Sequence, residues 1–254
     1  MRLLCKLKAR CSFDYSAIEP HKTQGFIYNQ LLGTPFENLH DKKSYKFFCF
    51  SNFFKPNKNK QKRDFPKTIN QEDELQWIIS SPNEELITII EKKIKSLNDF
   101  SIGDVNFEIS SVKSIKVKLP QKLKLITATP IVMRIPQYAY SNYGITSNLP
   151  YLYWRPEVDF NAFIKQLEEN LIKKYEEYNG TKVEEKRIFE FFYFKKQTIS
   201  EIVENGKTIP LHGSVWEFEF TTLTKNQKQI LEFGIDAGFG ERNTLGFGFI
   251  NVVR

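Results

Sequence analysis

Residues 238–254 read GFGERNTLGFGFINVVR, in which two Gly-Phe-Gly triplets, 238–240 and 246–248, bracket a polar loop holding Glu241, Arg242 and Asn243. Glycines so placed mark a backbone that turns tightly or comes close to something else. A loop of backbone N–H groups beside one arginine is a natural cradle for phosphate. Gly238, Gly240, Gly246, Gly248, Arg242 and Asn243 are therefore candidate contacts of a phosphate-bearing ligand, with a plain helix-to-strand turn as the alternative. The dinucleotide fingerprint needs a strand, the loop, a helix and then an acid about 20 residues on. Here the order is helix, loop, strand; the third fingerprint glycine position is Asn243, and no Gly-Lys-Ser/Thr of a P-loop follows. Nucleotide cofactors do not fit that pattern, and no cofactor is expected.

A second chemical feature is charge. The chain of 254 residues carries a net +7. Residues 1–68 hold 14 Lys and Arg against 5 Asp and Glu, a net +9, so the positive field belongs to the N-terminal quarter. Its densest part runs from Lys55 through Lys58, Lys60, Lys62 and Arg63, after the aromatics Phe47, Phe48, Phe50, Phe53 and Phe54. A basic run is commonly a solvated loop; beside interleaved aromatics it is equally a contact for a polyanion. Three cysteines (Cys5, Cys11, Cys49) lack CxxC spacing, and only three histidines (His21, His40, His212) exist, so no metal site and no disulfide framework are expected. The N-terminal MRLLCKLKARCSF has no continuous apolar stretch, and no apolar run approaches the roughly 20 residues of a membrane span, so a cytoplasmic protein with no membrane partner is expected.

Two halves share one order of elements. Residues 2–13 alternate as a half-buried strand, a helix is predicted from about His21 to Leu32, and Tyr45–Phe54 and Gln76–Ile79 read as strands. Ser81-Pro82-Asn83-Glu84 reads as a capping box opening a helix with Leu86, Ile87, Ile90, Ile94 and Leu97, and residues 105–117 alternate again. In the second half, residues 123–135 form a strand interrupted by Pro130, and Phe160 to Tyr175 mark a long amphipathic helix closed by Asn179-Gly180. A hairpin turns at Asn205-Gly206, Thr224 to Gln227 is a capping box, and residues 247–253 are the last strand. The fold class is α+β: two tandem ferredoxin-like (RRM-like) βαββαβ domains, 1–120 and 121–254, meeting near Leu119-Pro120-Gln121.

The tail from Gly238 to Gly248 resembles the glycine-rich signature of the repeat-associated mysterious protein superfamily. Taken with Gln24-Gly-Phe-Ile-Tyr28-Asn, Leu39-His40, Ala128-Thr-Pro-Ile-Val-Met133 and Tyr153-Trp-Arg155, the chain is similar to the CRISPR-associated endoribonucleases that process repeat RNA. The resemblance implies metal-free cleavage of CRISPR repeat RNA in the precursor guide-RNA transcript, leaving a 2′,3′-cyclic phosphate and a 5′-hydroxyl. It also implies a Tyr–His–Lys set at Tyr28, His40 and Lys46. The alternative within the superfamily is a non-catalytic subunit that holds guide RNA among other CRISPR effector subunits. Apolar helix faces leave a homodimer open.

Cleavage by an internal 2′-OH needs a base for that hydroxyl, an acid for the 5′-oxygen and a cation for the phosphorane charge. Histidine suits either proton role. Gly33 ends the first helix and Thr34-Pro35-Phe36-Glu37 reads as a capping box opening a short second one, which puts His40 at that helix's C-terminus beside Asp41. Both acid and base roles remain open to it, with a capping histidine as the bland alternative. Tyr28 either packs in the core or orients the 2′-OH; Lys46 either neutralises the phosphorane or merely binds phosphate. His21 and His212 read as local structural residues, the latter in a turn. RNA affinity should fall steeply with ionic strength as counterions are released. Neutralising Lys58, Lys60, Lys62 and Arg63 together should flatten that slope; an unchanged slope would place the RNA track elsewhere.

Overall fold

A computed structural model describes residues 1–56, 67–204 and 206–253. The chain divides into two units: Met1–Lys116 with Thr244–Gly246, and Val117–Asn243 with Phe247–Arg254.

The first unit is built on the strand Arg2–Ala9. Its alternate residues Leu3, Cys5, Leu7 and Ala9 are fully buried, as period-two alternation requires when one face meets a core. This strand lies between two antiparallel neighbours, Glu74–Ser80 and Val105–Ile115. Cys49–Phe50 extends the sheet at one edge and Asp99–Ile102 at the other. Leaving out that last strand, the order is the 2-3-1-4 arrangement of a βαββαβ unit, with helix α1 (Pro20–Asn29) and helix α2 (Glu84–Lys95) as the crossovers. Helix α2 buries Leu86, Ile87, Ile90 and Ile94. Phe53 is stacked between Trp77 (5.0 Å, 10°) and Phe107 (5.2 Å, 16°) in the core.

The second unit repeats the order. The strand Leu123–Thr127 pairs with Ile250–Val253 on one side and Lys207–Phe220 on the other; Phe191–Glu204 and the short Ile131–Val132 also pair with Lys207–Phe220. Its crossovers are helix α3 (Phe160–Asn179) and helix α4 (Lys225–Ala237). Helix α3 ends on Gly180 in the left-handed region (φ 68°), and α4 opens with the full Thr224/Gln227 capping box. Phe163 of α3 stacks on Trp216 of the sheet at 4.4 Å and 11°.

Several sequence expectations are corrected. The N-cap of α2 is Asn83, whose side chain accepts from the Leu86 amide at 3.1 Å. Ser81 instead accepts from the Asn83 amide and donates to the Phe47 carbonyl at 2.6 Å. The expected strand at 45–54 is reduced to Cys49–Phe50, because Phe47 sits at φ 51°, where no strand continues. Helix α1 stops at Asn29 and the last strand starts at Ile250, after Gly246 and Gly248 have both turned through positive φ. His212 lies in the strand Lys207–Phe220, not in a turn. Asp99–Ile102, joined to Val105–Ile115 through Gly103 at φ 59°, was not anticipated. Lys58, Lys60, Lys62, Arg63 and Asn205 lie outside the described residues.

Candidate active site and glycine loop

Within the first unit, Gln24 and Tyr28 stand one turn apart on α1 and so share a face. Gln24 Nε2 donates to the Thr244 hydroxyl at 2.8 Å, and the Tyr28 phenol also pairs with Thr244. Tyr28 is half-buried, and burial pushes its phenol up to about 12 although the Thr244 bond pulls it down. Near neutral pH this group is a proton-bearing donor, not a base. Its ring meets the edge of His40 at 4.9 Å and 89° and that of Phe48 at 5.6 Å and 83°.

His40 caps a single 3₁₀ turn, Glu37–Leu39, as the sequence placed it. Thr34 Oγ1 accepts from the Phe36 amide and Glu37 accepts from the Gly33 amide, which fixes the start of the segment, but the N-cap of the turn is Phe36 and not Thr34. The imidazole is exposed, with Nδ1 3.1 Å from Asp41 Oδ1. An ionised carboxylate only accepts, so Nδ1 carries a proton and Nε2 is the nitrogen left to react. Lys46 contributes an ammonium nitrogen that is shielded from solvent and has no hydrogen-bond partner. Burial lowers its pKa, which Asp41 opposes and Lys42 reinforces. Its neighbour Phe47, strained at φ 51° and pinned through its carbonyl by Ser81, fixes the turn that presents it. Tyr28 and His40 are thus in contact, and Lys46 lies within electrostatic reach of Asp41, the partner of His40.

The glycine loop is organised from inside. Lys174 of α3, only 2% exposed, donates to the Gly238 carbonyl (2.9 Å), the Gly240 carbonyl (2.6 Å) and Asn243 Oδ1 (2.7 Å). An ammonium has three donors, and each has an acceptor here. Gly238 also caps the C-terminus of α4, where a cation is favoured by the helix dipole. The Asn243 amide nitrogen donates to the carbonyls of Phe239 and Phe247, so this side chain ties the loop together and points inward. The amides of Phe239, Glu241, Phe247 and Gly248 are likewise bonded within the second unit, to Gly248, Val132, Arg242 and Pro130.

The glycines are required by space. A Cβ at Gly248, at φ 72°, would strike the Phe239 carbonyl, and one at Gly240 would lie 2.7 Å from the Val132 carbonyl. Gly238 is closed off by Asn243, and Gly246, grouped with the first unit, by the Phe50 ring. Of the loop residues read as ligand contacts, Arg242, at φ 57°, is the one bearing a cation. Lys55, which begins the basic run, is ion-paired to Asp73 at 2.6 Å. Among the described residues, no three His, Cys, Asp or Glu side chains gather to hold a metal ion, and no helix is long and apolar enough to cross a membrane.

Ser81 reads from sequence as a helix cap, whereas its partner is the Phe47 carbonyl; Lys174 has no role in the sequence reading. Lys174 continues the buried positions Leu167 and Leu171 of α3, so a lysine on an apolar helix face was the available signal. Lys174→Met should lower the unfolding free energy by about 3 kcal/mol or more, since three buried acceptors lose their donor at roughly 1 to 3 kcal/mol each. Denaturant titration measures the loss, and amide exchange should quicken across residues 238–248. Unchanged stability and exchange would remove Lys174 from this role.

Comparison with known proteins shows the family of the chain. The family description "CRISPR associated protein Cas6, C-terminal" matches residues 113–252, and "CRISPR-associated protein Cas6, N-terminal" matches residues 17–113. A protein of Methanocaldococcus jannaschii named CRISPR-associated endoribonuclease Cas6 2 is 30% identical, with all of both chains covered. A CRISPR-associated endoribonuclease Cas6 of Haloferax mediterranei is 28% identical over all of this chain and 94% of its own. A solved structure titled "CRISPR associated protein Cas6" superposes with a TM-score of 0.72 at 22% identity, covering 100% of this chain and 99% of that one.

Proposed function

Because the chain belongs to the CRISPR-associated Cas6 family, we propose that it is an endoribonuclease that cuts CRISPR repeat RNA in the precursor transcript without a metal ion. The observation that carries this reading is the Tyr28–His40 contact, with Asp41, the partner of His40, acting on the shielded, unpartnered amine of Lys46. In the reaction the ribose 2′-oxygen bonds to the adjacent phosphorus and the P–O5′ bond breaks. One proton leaves the 2′-hydroxyl and one arrives at O5′, giving a 2′,3′-cyclic phosphate and a 5′-hydroxyl. His40 Nε2 handles one of these protons, with Asp41 holding the ring through Nδ1. Tyr28, kept protonated by burial, donates a hydrogen bond that orients the attacking hydroxyl. Lys46 supplies the positive charge opposite the phosphorane. An amine that has already lost its solvent shell and has no internal acceptor pairs well with an anion. The glycine loop, stapled by Lys174, offers Arg242 to the RNA; Gly238, Gly240, Gly246, Gly248 and Asn243 shape the loop that presents it.

His40→Ala should lower the single-turnover cleavage rate by roughly 10²–10⁴ in EDTA-containing buffer while repeat RNA still binds. Equal loss of binding and cleavage would remove His40 from the chemistry. Wild-type protein that binds the repeat but makes no discrete cut would point to a guide-RNA-holding subunit instead.

The lowered pKa of Lys46 gives a pH test. A lysine depressed by burial loses its charge at lower pH than an ordinary lysine. Cleavage should therefore decline on the alkaline side below the usual lysine range, and Lys46→Arg, which stays protonated, should move that decline to higher pH. A pH–rate profile with the same alkaline limb in both proteins would separate Lys46 from the charged step.

A further inference from the structure

Outside the Tyr28–His40–Lys46 group, the second unit carries a row of aromatic and cationic side chains that the cleavage chemistry does not use. The short strands Arg134–Pro136 and Tyr151–Tyr153 pair antiparallel, with Arg134 opposite Tyr153 and Pro136 opposite Tyr151. One face of this ribbon sends Ile135 into the core; the other presents Arg134, Tyr151 and Tyr153. The alternation runs on through Trp154, which is 2% exposed and donates through Nε1 to the Asp159 carbonyl at 3.1 Å, to an exposed Arg155. The Arg134 guanidinium sits 4.7 Å from the centre of the Tyr151 ring and is ion-paired with Glu241. Tyr151 and Tyr153 meet at 5.7 Å and 74°, and Tyr153 faces His212 at 6.3 Å and 37°.

The end of the row is fixed by a hydrogen-bond argument. Arg155 Nη2 lies 3.1 Å from His212 Nε2, and the Gln197 side-chain amide lies 3.2 Å from His212 Nδ1. A guanidinium can only donate, so Nε2 accepts, Nδ1 carries the proton, and Gln197 must turn its oxygen to it. His212 is thereby a neutral ring whose pKa is lowered, by burial first and then by Arg155, against Glu157. It holds the Arg155 guanidinium beside the aromatic row. Arg242 and Arg134 both act electrostatically on the Tyr153 phenol. Arg134, Arg155 and Arg242 thus lie about the row, and Glu241 and Glu157 are carboxylates that face its members.

We propose that Tyr151, Tyr153 and His212, flanked by Arg134 and Arg155, form a stacking platform for unpaired nucleobases of the RNA, separate from the cutting residues. Aromatic faces and guanidinium planes take bases of any sequence, and the arginines take the adjoining phosphates. This rests on the RNA-processing function proposed above and adds the part of the ligand that this surface holds: single-stranded nucleotides.

The test uses the full chain and a fluorescein-labelled oligouridylate, which has bases but no duplex. Tyr151→Ala with Tyr153→Ala should weaken its binding by about 10- to 100-fold, while the paired Tyr→Phe changes keep it near wild type because the rings remain. Inorganic polyphosphate, which has charge without bases, should bind all three proteins alike. With oligouridylate carrying 4-thiouridine, photo-crosslinks should fall on the peptide containing residues 151–155. Unchanged oligouridylate affinity in the alanine protein, or an equal loss for polyphosphate, would overturn the platform. If the platform result holds and wild-type protein cuts no repeat RNA, the cleavage reading fails alone; if cutting holds and the platform result fails, this inference fails alone.

Discussion

The glycine loop depends on one buried cation. Lys174 reaches from α3 to two loop carbonyls and the Asn243 side chain, and its three donors are used in full. Charge buried at this depth is tolerated only where every hydrogen bond is made and nearby dipoles favour it. The C-terminus of α4 supplies such a dipole, since Gly238 is its cap. Once the loop is drawn in around the ammonium, its backbone has no room for Cβ atoms at Gly240 and Gly248, which accounts for those glycines by packing alone. The same contraction gives Arg242 its left-handed backbone and turns the Asn243 amide inward.

The loop therefore reads differently once its hydrogen bonds are counted. A run of glycines beside an arginine suggests amides open to phosphate, yet the amides of Phe239, Glu241, Phe247 and Gly248 already have carbonyl partners. What such a loop can offer a ligand is a rigid edge carrying Arg242. In the function proposed above, proton transfer belongs to residues outside this loop. The phenol of Tyr28 on α1, the Nε2 of His40 after the Glu37–Leu39 turn and the amine of Lys46 would serve as a donor, a proton carrier and a positive charge.

Much of this was legible in the sequence where local rules act alone. The alternation of Leu3, Cys5, Leu7 and Ala9, the Thr224/Gln227 box and the Gly180 terminator each follow from period or cap chemistry within a few residues. From those elements the two ferredoxin-like orders followed, and the position of His40 at the end of a short turn beside Asp41 followed from Gly33 and Thr34. Features set by distant partners were not legible. Ser81 looked like a cap because its second partner, the Phe47 carbonyl, lies 34 residues away. Phe47 itself interrupts an aromatic run that reads as a strand, since nothing local in Lys46-Phe47-Phe48 announces a left-handed residue. His212 looked bland because the groups that fix its tautomer, Arg155 and Gln197, come from other strands or loops.

The central claim is that the cut is made by the RNA's own 2′-hydroxyl, managed by Tyr28, His40 and Lys46. The most direct measurement replaces the single ribose 5′ of the scissile phosphate with 2′-deoxyribose and follows cleavage and binding of that repeat RNA. The account predicts full binding and no cut, with the unmodified RNA giving a fragment whose mass carries a 2′,3′-cyclic phosphate. A deoxy-substituted repeat cut at the same phosphate, or a product ending in a 3′-hydroxyl, would contradict it.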